Sequence, residues 1–494
     1  MIKESSDVMT FFSNLANDQV LTPIKVVNGM LNTLPKDLWS NKNATFLNPS
    51  SKSGLFLREI AKRLNEGLIN EIPDQKERYI HILKNQIFGI GTLEMYGLMT
   101  RRTVYCSKTA NGKYSVTKDC FDDEQGNIYF KKISRKYINN KCTITGINKD
   151  TIRNLKNNHA YNFIHENPKE IFNMNFDVII GNPPYQLDDK GAGASATMIY
   201  PKFVQQAIKL QPRYLTMIIP SRWFVGGKGL NEFRKTMLED RRIREIHDFD
   251  NAKDCFPNDV SIKGGVCYFL WDRDNEGLCK IVTREDDKII STSERHLLEK
   301  GLDVFIRDDI GLEVVRKVLD KKEIPFSTVV SARKPFGLPT TFKDFKQKPF
   351  DNSLKIYANK KIGYIKKDQI IRGQDVVDAF KLFVPKAIGS GQTSRDVVKP
   401  ILGEPNSCST ETYIMIGPFE SKKIASNVMS YIKTKFFHFV LGQKKITQDA
   451  TAKVYDFIPM QDFNEVWTDE KLFKKYNLSK SEIDYINNNT PNFG

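Results

Sequence analysis

The sequence contains few cysteines and no long apolar run. Its seven cysteines are an odd number scattered over 494 residues, so we expect no disulfide framework. No apolar run approaches the roughly 18–20 residues that a membrane span needs. The first residues lack the charged-then-apolar pattern of a signal peptide, and there is no internal repeat or low-complexity tract. These absences argue against membrane-spanning, disulfide-rich and repeat proteins, and we expect a cytoplasmic protein.

Acidic residues are outnumbered by basic ones. The chain has 75 lysines and arginines against 59 aspartates and glutamates, a formal net charge of +16, which favours a polyanionic partner. From Lys321 to Pro400 we count 17 basic and 7 acidic residues, so this segment alone carries +10. The concentration favours a nucleic-acid-binding surface, although a solvated charged face would give the same count.

The length exceeds one typical core, so we expect two or three domains. In the first 300 residues short apolar segments alternate with helical patterns, which is typical of a doubly wound α/β sheet. The predicted strands are Thr45–Leu47, Gln86–Ile90, Phe176–Ile180, Tyr214–Ile219, Arg244–Phe249 and Gly264–Trp271, and the predicted helices are Leu55–Leu64, Tyr200–Leu210 and Leu230–Leu238. The last two strands, joined through Asn258-Asp259, should form an antiparallel addition at one edge of the sheet.

Two regions break this alternation. Residues 101–160 are rich in Lys, Asn, Tyr and Gly, which predicts an inserted β-rich segment. After Arg307 irregular strands and turns predominate, and a helical period returns from Lys422 to Val440. We therefore divide the chain into domains at residues 1–300 and 301–494, and we expect the second to mix helices and strands.

The most informative segment is Asn182-Pro183-Pro184-Tyr185, which follows the apolar strand predicted at residues 176–180. The two prolines fix φ and have no N–H group, so carbonyls of the turn can face outward and accept hydrogen bonds. The amide oxygen of Asn182 beside such a carbonyl gives two acceptors for one NH2 group. Tyr185 can then stack on the planar group that carries this NH2. An ordinary strand-end turn with Tyr185 in the core is the alternative, but the position after an aliphatic strand favours an amine-binding site, with adenine the obvious candidate.

Three further segments fall where a ligand-binding sheet needs them. Thr22 can cap a helix that has Pro23 in its first position. The segment Asn48–Gly54 predicts a strand, a tight turn and a helix start, whose N–H groups can bind an anionic group such as a carboxylate; Gly54 lets a ligand approach the backbone. The segment Gly89-Ile90-Gly91 ends a buried strand. Because ligands bind at the carboxyl ends of the strands in open α/β sheets, the strand ends near residues 47, 90 and 180 should converge on one crevice.

Together these segments resemble the amino-methyltransferases that use S-adenosylmethionine, and most closely the γ-ordered N6-adenine DNA methyltransferases of restriction–modification systems. In that order the Thr-Pro segment and the cofactor loop precede the Asn-Pro-Pro-Tyr turn, and a target-recognition domain comes last. The resemblance covers most of the chain. It extends to Ile218–Phe224, Phe256-Pro257-Asn258, Gly264–Phe269, Thr434–Phe437 and Lys445–Ala450.

The resemblance implies a Rossmann-like methyltransferase domain in residues 1–300 and a DNA target-recognition domain in residues 301–494. Asn182 and the Pro183 carbonyl would accept the two N–H bonds of adenine N6, and Tyr185 and Phe256 would stack on the two faces of the flipped base. The catalytic set implied is Asn182, Pro183, Pro184 and Tyr185. The implied S-adenosylmethionine site is Thr22, Pro23, Asn48, Pro49, Ser50, Gly54, Phe56 and Asn182.

The implied reaction is direct in-line transfer of a methyl group from a sulfonium to adenine N6, without a metal or a covalent enzyme intermediate. The N6 lone pair is delocalised into the ring. Two acceptors on its hydrogens restore its nucleophilic character and stabilise the positive charge that develops on nitrogen. Because N6 lies inside the duplex, the base has to be extruded, and stacking on aromatic side chains offsets part of that cost.

The chain departs from this family at several positions. Asn48 stands where an acid is usual, Lys52 stands where a small residue is usual, and the acid that usually follows the second strand is missing after Ile90, with Glu94 coming later. These departures motivate one alternative, a catalytically degenerate DNA-recognition subunit. Methylation of RNA or of a protein glutamine is another, because the same turn can bind any planar NH2 group.

Double-stranded DNA is the expected partner of the basic second domain. The expected contacts are Arg333, Lys334, Lys343, Lys346, Lys360, Lys361, Arg372 and Arg395. No nuclease constellation is evident, so a restriction endonuclease partner should be a separate chain. The zinc alternative, from Cys106, Cys120 and Cys142 with His159 and His165 nearby, lacks a Cys-x-x-Cys pair and a clear fourth ligand, and we expect no metal.

Overall fold

The computed structural model describes residues 21–153, 160–187, 197–226, 229–257, 262, 264–285, 288–388, 397–445 and 450–492. The chain divides into two compact units, Met1–Leu302 and Asp303–Gly494. Among the described helices, none has both the length and the apolarity that a bilayer crossing requires.

The first unit alternates strands with helices. Its strands are β1 (Phe46–Ser51), β2 (Ile87–Gly91), β3 (Ile128–Tyr129), β4 (Tyr137–Ile138), β5 (Lys141–Cys142), β6 (Val178–Gly181), β7 (Gln186–Leu187), β8 (Thr197–Met198), β9 (Tyr214–Pro220), β10 (Ile243–Phe249), β11 (Val266–Asp272), β12 (Cys279–Glu285) and β13 (Lys288–Arg295). Its helices are α1 (Ile24–Asn32), α2 (Leu55–Gly67), α3 (Gln75–Asn85), α4 (Glu94–Tyr105), α5 (Lys149–Arg153), α6 (Asn162–His165), α7 (Pro168–Phe172), α8 (Tyr200–Lys209) and α9 (Asn231–Glu239). Short 3-10 turns cover Lys36–Ser40, Ser221–Phe224 and Ala252–Asp254.

Nine of the described strands form one sheet in the order β13-β12-β10-β11-β9-β6-β1-β2-β3. From β3 to β9 all neighbours are parallel, while β11 runs antiparallel to both β9 and β10. The chain moves outward from β1 to β3 and then returns to β6, so the strand order reverses between β1 and β6. In open sheets of this kind ligands bind at that reversal, outside the carboxyl ends of the strands. The prediction of an α/β domain with a mostly parallel sheet is confirmed.

The interior strands are apolar because both of their faces are covered. Every residue of β1, β6, β9 and β11 is buried. Burial on both faces explains why β6, β9 and β11 are nearly continuous apolar runs without alternation, whereas β1 is apolar only at Phe46 and Leu47 and becomes polar from Asn48. Phe46 of β1, Ile180 of β6 and Leu57 and Ile60 of α2 share one hydrophobic cluster with α1. This shared packing fixes α1 and α2 against β1 and β6, next to the candidate site.

The prediction for the last two strands is right in direction and wrong in position. The strands β10 and β11 are antiparallel, but β11 lies inside the sheet, and β12 and β13 extend it to the edge. Burial explains the difference, since every residue of β11 is buried whereas β13 alternates between exposed and half-buried residues. A strand that is apolar on both faces belongs in the interior of a sheet.

The prediction that residues 101–160 are β-rich is wrong. Residues 101–105 complete α4, and the strands β3, β4 and β5 have two residues each. Much of the described remainder consists of turns, and Asn139, Asn140 and Gly146 have positive φ. Asn and Gly are the residues that adopt this left-handed conformation most readily, so the composition of the segment favours turns over strands.

The second unit mixes short sheets with helices. Its strands are β14 (Leu354–Ala358), β15 (Lys361–Ile365), β16 (Phe380–Pro385), β17 (Ile401–Gly403), β18 (Ser407–Ser409) and β19 (Tyr413–Phe419), in sheets of order β15-β14-β18 and β17-β16-β19. Its helices are α10 (Asp309–Leu319), α11 (Lys422–Ile432), α12 (Lys435–Lys444), α13 (Asp469–Lys475) and α14 (Lys480–Asn489), with 3-10 turns at Phe326–Val329, Lys367–Gln369, Gln374–Val376 and Ala452–Tyr455. The helical period predicted from Lys422 to Val440 is two helices, because Thr434 caps α12 by accepting a hydrogen bond from the N–H of Phe437.

Candidate active site

The Asn-Pro-Pro-Tyr turn leaves the sheet at the carboxyl end of β6, next to the point where the strand order reverses. All four residues are buried; Asn182 is 2% exposed and Tyr185 is 8% exposed. The carbonyl of Tyr185 accepts a hydrogen bond from the N–H of Ile199, at 2.9 Å. The turn is thereby fixed at one end by β6 and at the other by the start of α8.

Thr22 contacts Asn182 directly. The Asn182 amide donates from Nδ2 to the Thr22 hydroxyl Oγ1, at 3.0 Å, so the structure joins two residues 160 positions apart. The prediction that Thr22 caps a helix with Pro23 in its first position is wrong. Helix α1 begins at Ile24, and Pro23 itself stands at the N-cap position with extended backbone (φ −61, ψ 148). The Thr22 hydroxyl therefore bonds Asn182 instead of capping the helix.

The segment Asn48–Gly54 lies beside the same turn. Strand β1 continues to Ser51, beyond the predicted end at residue 47, but its pairing with β2 is irregular between Asn48 and Ser51. The buried Asn48 Oδ1 accepts a hydrogen bond from the N–H of Ser50, at 3.1 Å. The Ser50 hydroxyl donates to the carbonyl of Asn182, at 2.9 Å. We call Thr22, Asn48, Ser50 and Asn182 the carboxyl-end cluster.

The contact between the two segments is close. A side chain on Gly181 would lie 2.9 Å from Asn48 Oδ1 and 3.3 Å from the ring of Pro49, so only glycine fits at the end of β6. Asn48 and Pro49 are thus placed by direct packing against the residue that precedes the Asn-Pro-Pro-Tyr turn.

Gly54 has a different role from the one predicted. It stands before α2 with φ +79, and a side chain there would lie 2.9 Å from Thr103 Cβ and 3.1 Å from Thr100 Cα. The space that its missing side chain leaves is filled by α4, not by an open ligand path. Sequence reasoning missed this helix and its two threonines, although they lie three residues apart, on one helical face.

The two threonines of α4 form hydrogen bonds with the segment Asn48–Gly54, on the side away from Asn182. The Thr100 hydroxyl donates to the Lys52 carbonyl at 3.1 Å, and the Thr103 hydroxyl donates to the Ser53 carbonyl at 2.7 Å. Ser51 is fully buried, and its hydroxyl lies 2.7 Å from the Thr100 hydroxyl. The segment between β1 and α2 is therefore bonded to the Asn182 turn on one side and to α4 on the other.

Two aromatic residues of the predicted site lie in the core. Phe56 and Phe256 are both buried members of the hydrophobic cluster that surrounds α1 and α2. The predicted contact of Phe56 with a cofactor and the predicted stacking of Phe256 on a base both stay predictions.

The three cysteines of the zinc alternative do not come together in the described part of the chain. Cys106 is exposed, Cys120 is half-buried and Cys142 is buried. The Cys142 Sγ lies 3.6 Å from His165 Nε2, and His159 lies outside the described residues. Among the residues that the structure describes, no three His, Cys, Asp or Glu side chains are grouped as a metal would require. Burial, together with the nearby Arg135 charge, lowers the pKa of His165 to about 4 despite a hydrogen bond to the Tyr161 carbonyl, so this imidazole is neutral at neutral pH.

The basic residues predicted to bind DNA fall into two groups within the second unit. Lys343, Lys346, Lys360 and Lys361 are exposed, and the last two lie at the turn of the β14–β15 hairpin. Arg333, Lys334 and Arg372 lie together instead. Arg333 and Lys334 pair with the buried carboxylate of Glu411, and Arg372 donates to the backbone carbonyls of Arg333 and Lys334. Arg395 lies outside the described residues.

Comparison with known proteins gives consistent findings. A protein-family model described as Eco57I restriction-modification methylase matches residues 85–256, which include β2, β6 and the Asn-Pro-Pro-Tyr turn. An uncharacterized adenine-specific methylase of Mycoplasma pneumoniae is 37% identical over 355 residues, which are 64% of this chain and 83% of that protein. The type II methyltransferase M.PstI of Providencia stuartii is 23% identical over 250 residues, 48% of this chain and 47% of that protein.

A solved structure shares the fold. A nuclease-deletion mutant of the Type ISP restriction-modification enzyme LlaGI, in complex with a DNA substrate mimic, aligns with 91% of this chain and 47% of its own, with a TM-score of 0.50 and 10% identity. At this identity the likeness concerns the fold alone. The identity and coverage of the Mycoplasma relative are sufficient for a family assignment. The chain belongs to the adenine-specific methylases of the restriction–modification type.

Proposed function

We propose that the protein is a site-specific DNA adenine-N6 methyltransferase that uses S-adenosylmethionine and flips its target base. The observation that carries this proposal is the carboxyl-end cluster. Three segments that are remote in sequence meet at the reversal point of the sheet, and each contributes a polar group bonded to the next. This is the position at which α/β sheets bind their ligands.

Asn182 has the fixed orientation that an amine acceptor needs. Its Nδ2 donates to Thr22 and its backbone carbonyl accepts from Ser50, so rotation of the side chain would break a bond to Thr22. The amide oxygen and the Pro183 carbonyl are then the acceptors proposed for the two hydrogens of adenine N6. Acceptors placed before the reaction stabilise positive charge on the nitrogen without reorganisation in the transition state.

The segment Asn48–Gly54 has the donors that the cofactor's methionine part requires. It ends at the first turn of α2, a helix of 13 residues, whose N–H groups and positive end favour a carboxylate. Asn48 accepts the hydrogen bond from the Ser50 N–H that an aspartate would accept. Its departure from the family pattern therefore removes a negative charge but does not change the conformation of the loop. S-adenosylmethionine, when bound, supplies the electrophilic methyl group. After β2 the first acid is Glu94, exposed at the start of α4, and we assign it no contact.

Entry of the base requires movement around Tyr185. This side chain is 8% exposed, so an adenine that stacks on its ring has to displace neighbouring atoms. We propose that extrusion of the base and this displacement occur together, with stacking offsetting part of their cost. The second unit, with its exposed lysines, is proposed as the DNA-recognition domain, and a restriction endonuclease as a separate partner chain.

The test is Asn182→Ala, measured against wild type and the exposed control Asn85→Ala. We expect Asn182→Ala to lose methyl transfer to duplex DNA by roughly 10²-fold or more, because it removes one of two acceptors and the bond that fixes it. Its affinity for DNA should stay within about twofold, since phosphate contacts dominate affinity. The readouts are N6-methyladenine by mass spectrometry and DNA affinity by fluorescence anisotropy, with single-molecule sequencing to find the modified motif.

Three results would contradict the proposal. Asn182→Ala with wild-type transfer would remove the residue from the chemistry. Methylation of RNA or of a protein glutamine, with DNA left unmodified, would favour the other amine substrates. Wild-type protein that binds DNA but gives no calorimetric heat with S-adenosylmethionine would favour a degenerate recognition subunit.

A further inference from the structure

Glu411 is a buried carboxylate surrounded by cations. It lies between β18 and β19, and its side chain is 9% exposed. Its Oε1 accepts hydrogen bonds from Arg333, from Nε at 3.0 Å and also from Nη2. Lys386 Nζ lies 3.5 Å from the same oxygen, and Lys334 Nζ lies 3.4 Å from Oε2. We call Arg333, Lys334, Lys386 and Glu411 the Glu411 cluster.

The backbone beneath the Glu411 cluster is fixed independently. Arg372 donates from Nε to the Lys334 carbonyl and from Nη2 to the Arg333 carbonyl, both at 2.6 Å. Lys334 has φ +56, and its carbonyl also accepts from the Gly337 N–H. Phe336, in the same turn, is fully buried in the core of this unit. These bonds fix the backbone of the turn, and therefore the positions from which the side chains of Arg333 and Lys334 extend.

The charges are layered. The carboxylate is buried, while the side chains of Arg333 and Lys334 are 63% and 43% exposed and that of Lys386 is 20% exposed. Burial raises the pKa of Glu411, but the Arg333 hydrogen bond and the charges of Arg333, Lys386 and Lys334 outweigh it, and the pKa is lowered from its ordinary value. The ionised carboxylate thus lies beneath three cations, and the outer face keeps a positive excess.

We propose that the Glu411 cluster binds a phosphate of the DNA backbone, and that Glu411 is the positioning residue that holds the cations in place for it. The inference rests on the proposed function, because it takes DNA as the partner. A phosphodiester carries one negative charge shared by two non-bridging oxygens, and these can accept hydrogen bonds from an arginine and from an ammonium group. Such contacts fix the register of a protein on DNA. Holding the side chains in advance lowers the entropy lost on binding.

The change in DNA affinity caused by Glu411→Gln distinguishes a positioning role for Glu411 from simple charge neutralisation, because the two roles change the affinity in opposite directions. Glu411→Gln removes a negative charge from a DNA-binding surface, so a purely neutralising glutamate would give tighter binding. If Glu411 positions the cations, the same variant should bind duplex DNA about three- to tenfold more weakly. Its amide keeps one oxygen for Arg333, but it loses the negative charge and the second acceptor oxygen that hold Arg333, Lys334 and Lys386 together. The slope of log Kd against log salt should also decrease by about 1, which corresponds to the loss of one phosphate contact.

The matched control is Glu404→Gln, which removes an exposed acid paired with Lys422 at 2.8 Å in the same unit. It should leave DNA affinity unchanged or slightly tighter. Arg372→Lys keeps the charge but loses the paired bonds to the Arg333 and Lys334 carbonyls, and it should weaken binding as Glu411→Gln does. Because Arg372 is exposed, this variant is expected to fold even where Glu411→Gln does not, and melting curves of all three variants check this.

Equal or tighter DNA binding by folded Glu411→Gln, or wild-type binding by Arg372→Lys, would overturn the proposal. Its failure is distinguishable from failure of the methyltransferase proposal. If wild type methylates DNA and Glu411→Gln binds normally, only the positioning role is wrong. If wild type binds DNA in a Glu411-dependent way but transfers no methyl group, only the proposed activity is wrong.

Discussion

Asn182 joins three segments of the chain through one residue. Its side chain bonds Thr22, its carbonyl bonds Ser50, and the prolines that follow limit its backbone. A change at Thr22 or Ser50 therefore acts on the orientation of Asn182 while leaving Asn182 itself in place. At this scale the site is a small hydrogen-bond network whose members support one another.

Asn48 offers a test of charge at constant shape. Asn48→Asp preserves an oxygen for the Ser50 N–H, and it adds a negative charge beside the proposed site of the cofactor's methionine part, whose ammonium group such a charge attracts. We expect S-adenosylmethionine to bind up to about tenfold more tightly, whereas Asn48→Ala should bind it more weakly because it loses the Ser50 bond, which contributes about 1 kcal/mol. Isothermal calorimetry measures both affinities.

Asn48 is buried, so the carboxylate that Asn48→Asp introduces would also be buried, and its effect on folding needs a separate control. Thermal melting of both variants separates loss of fold from loss of affinity, since an uncompensated buried carboxylate is destabilising. Weaker cofactor binding by a fully folded Asn48→Asp would show that the missing charge does not limit this site.

Helix α4 packs against the segment Asn48–Gly54, which is the proposed cofactor loop. Its Thr100 and Thr103 hydroxyls bond two carbonyls of the loop, and the loop turns into α2 at Gly54, against the same helix. The conformation of the loop thus depends both on its own residues and on a helix that begins 40 positions after Gly54, at Glu94. Damage to the contact between the loop and α4 should appear both in folding stability and in cofactor affinity.

Gly54→Ala, compared with Gly146→Ala, isolates this contact. Both glycines have positive φ (+79 and +70), but a side chain at Gly54 meets Thr103 at 2.9 Å, whereas at Gly146 nothing lies within 4 Å. Gly146→Ala should cost about 1 kcal/mol of unfolding free energy from backbone strain alone. Gly54→Ala should cost roughly 2–4 kcal/mol, because overpacking against α4 adds to the strain. Denaturant unfolding gives both values, and equal losses would contradict the proposed packing role.

Six of the nine strands of the sheet were predicted from the sequence, whereas β3, β12, β13 and several helices were not. Buried strands such as β6 and β9 are apolar runs bounded by polar turns, and that pattern survives without tertiary information. Helix α4 has Gly97 in its interior and β-branched threonines, so its propensity is poor and packing against the sheet stabilises it. Helix α3 did have a usable signal, since Asp74 caps it by accepting from the N–H of Glu77.

The meeting of the three segments could be predicted from the sequence, but the hydrogen bonds between them could not. The segments around Thr22, Asn48 and Asn182 carry recognisable residue patterns, and the carboxyl-end rule brings them together. The pairing of Thr22 with Asn182 and the filling of the space at Gly54 by Thr103 depend on distances across the fold. Sequence spacing contains no such distances.

The whole molecule carries its positive charge unevenly. Its net charge is +16, and the segment from Lys321 to Pro400 contributes +10 of it. Exposed lysines of this segment include Lys360 and Lys361 at the hairpin turn between β14 and β15. If location matters more than total charge, removing two lysines there should affect DNA binding more than removing two elsewhere.

We expect the double variant Lys360→Ala/Lys361→Ala to weaken binding to all DNA sequences alike, and to reduce the slope of log Kd against log salt by up to about 2. The control Lys62→Ala/Lys84→Ala removes the same charge from the first unit and should change the slope little. Anisotropy titrations over a range of salt concentrations measure the slopes. Equal effects of the two double variants would assign DNA affinity to net charge and not to this hairpin.

The interior position of β11 has a consequence for how the protein is made. During translation β9 and β10 leave the ribosome before β11, which separates them in the finished sheet. Until Val266–Asp272 has emerged, the nascent chain presents one apolar strand whose hydrogen-bonding edge has no neighbour. During that interval the free edge of β9 is open to pairing with the wrong strand.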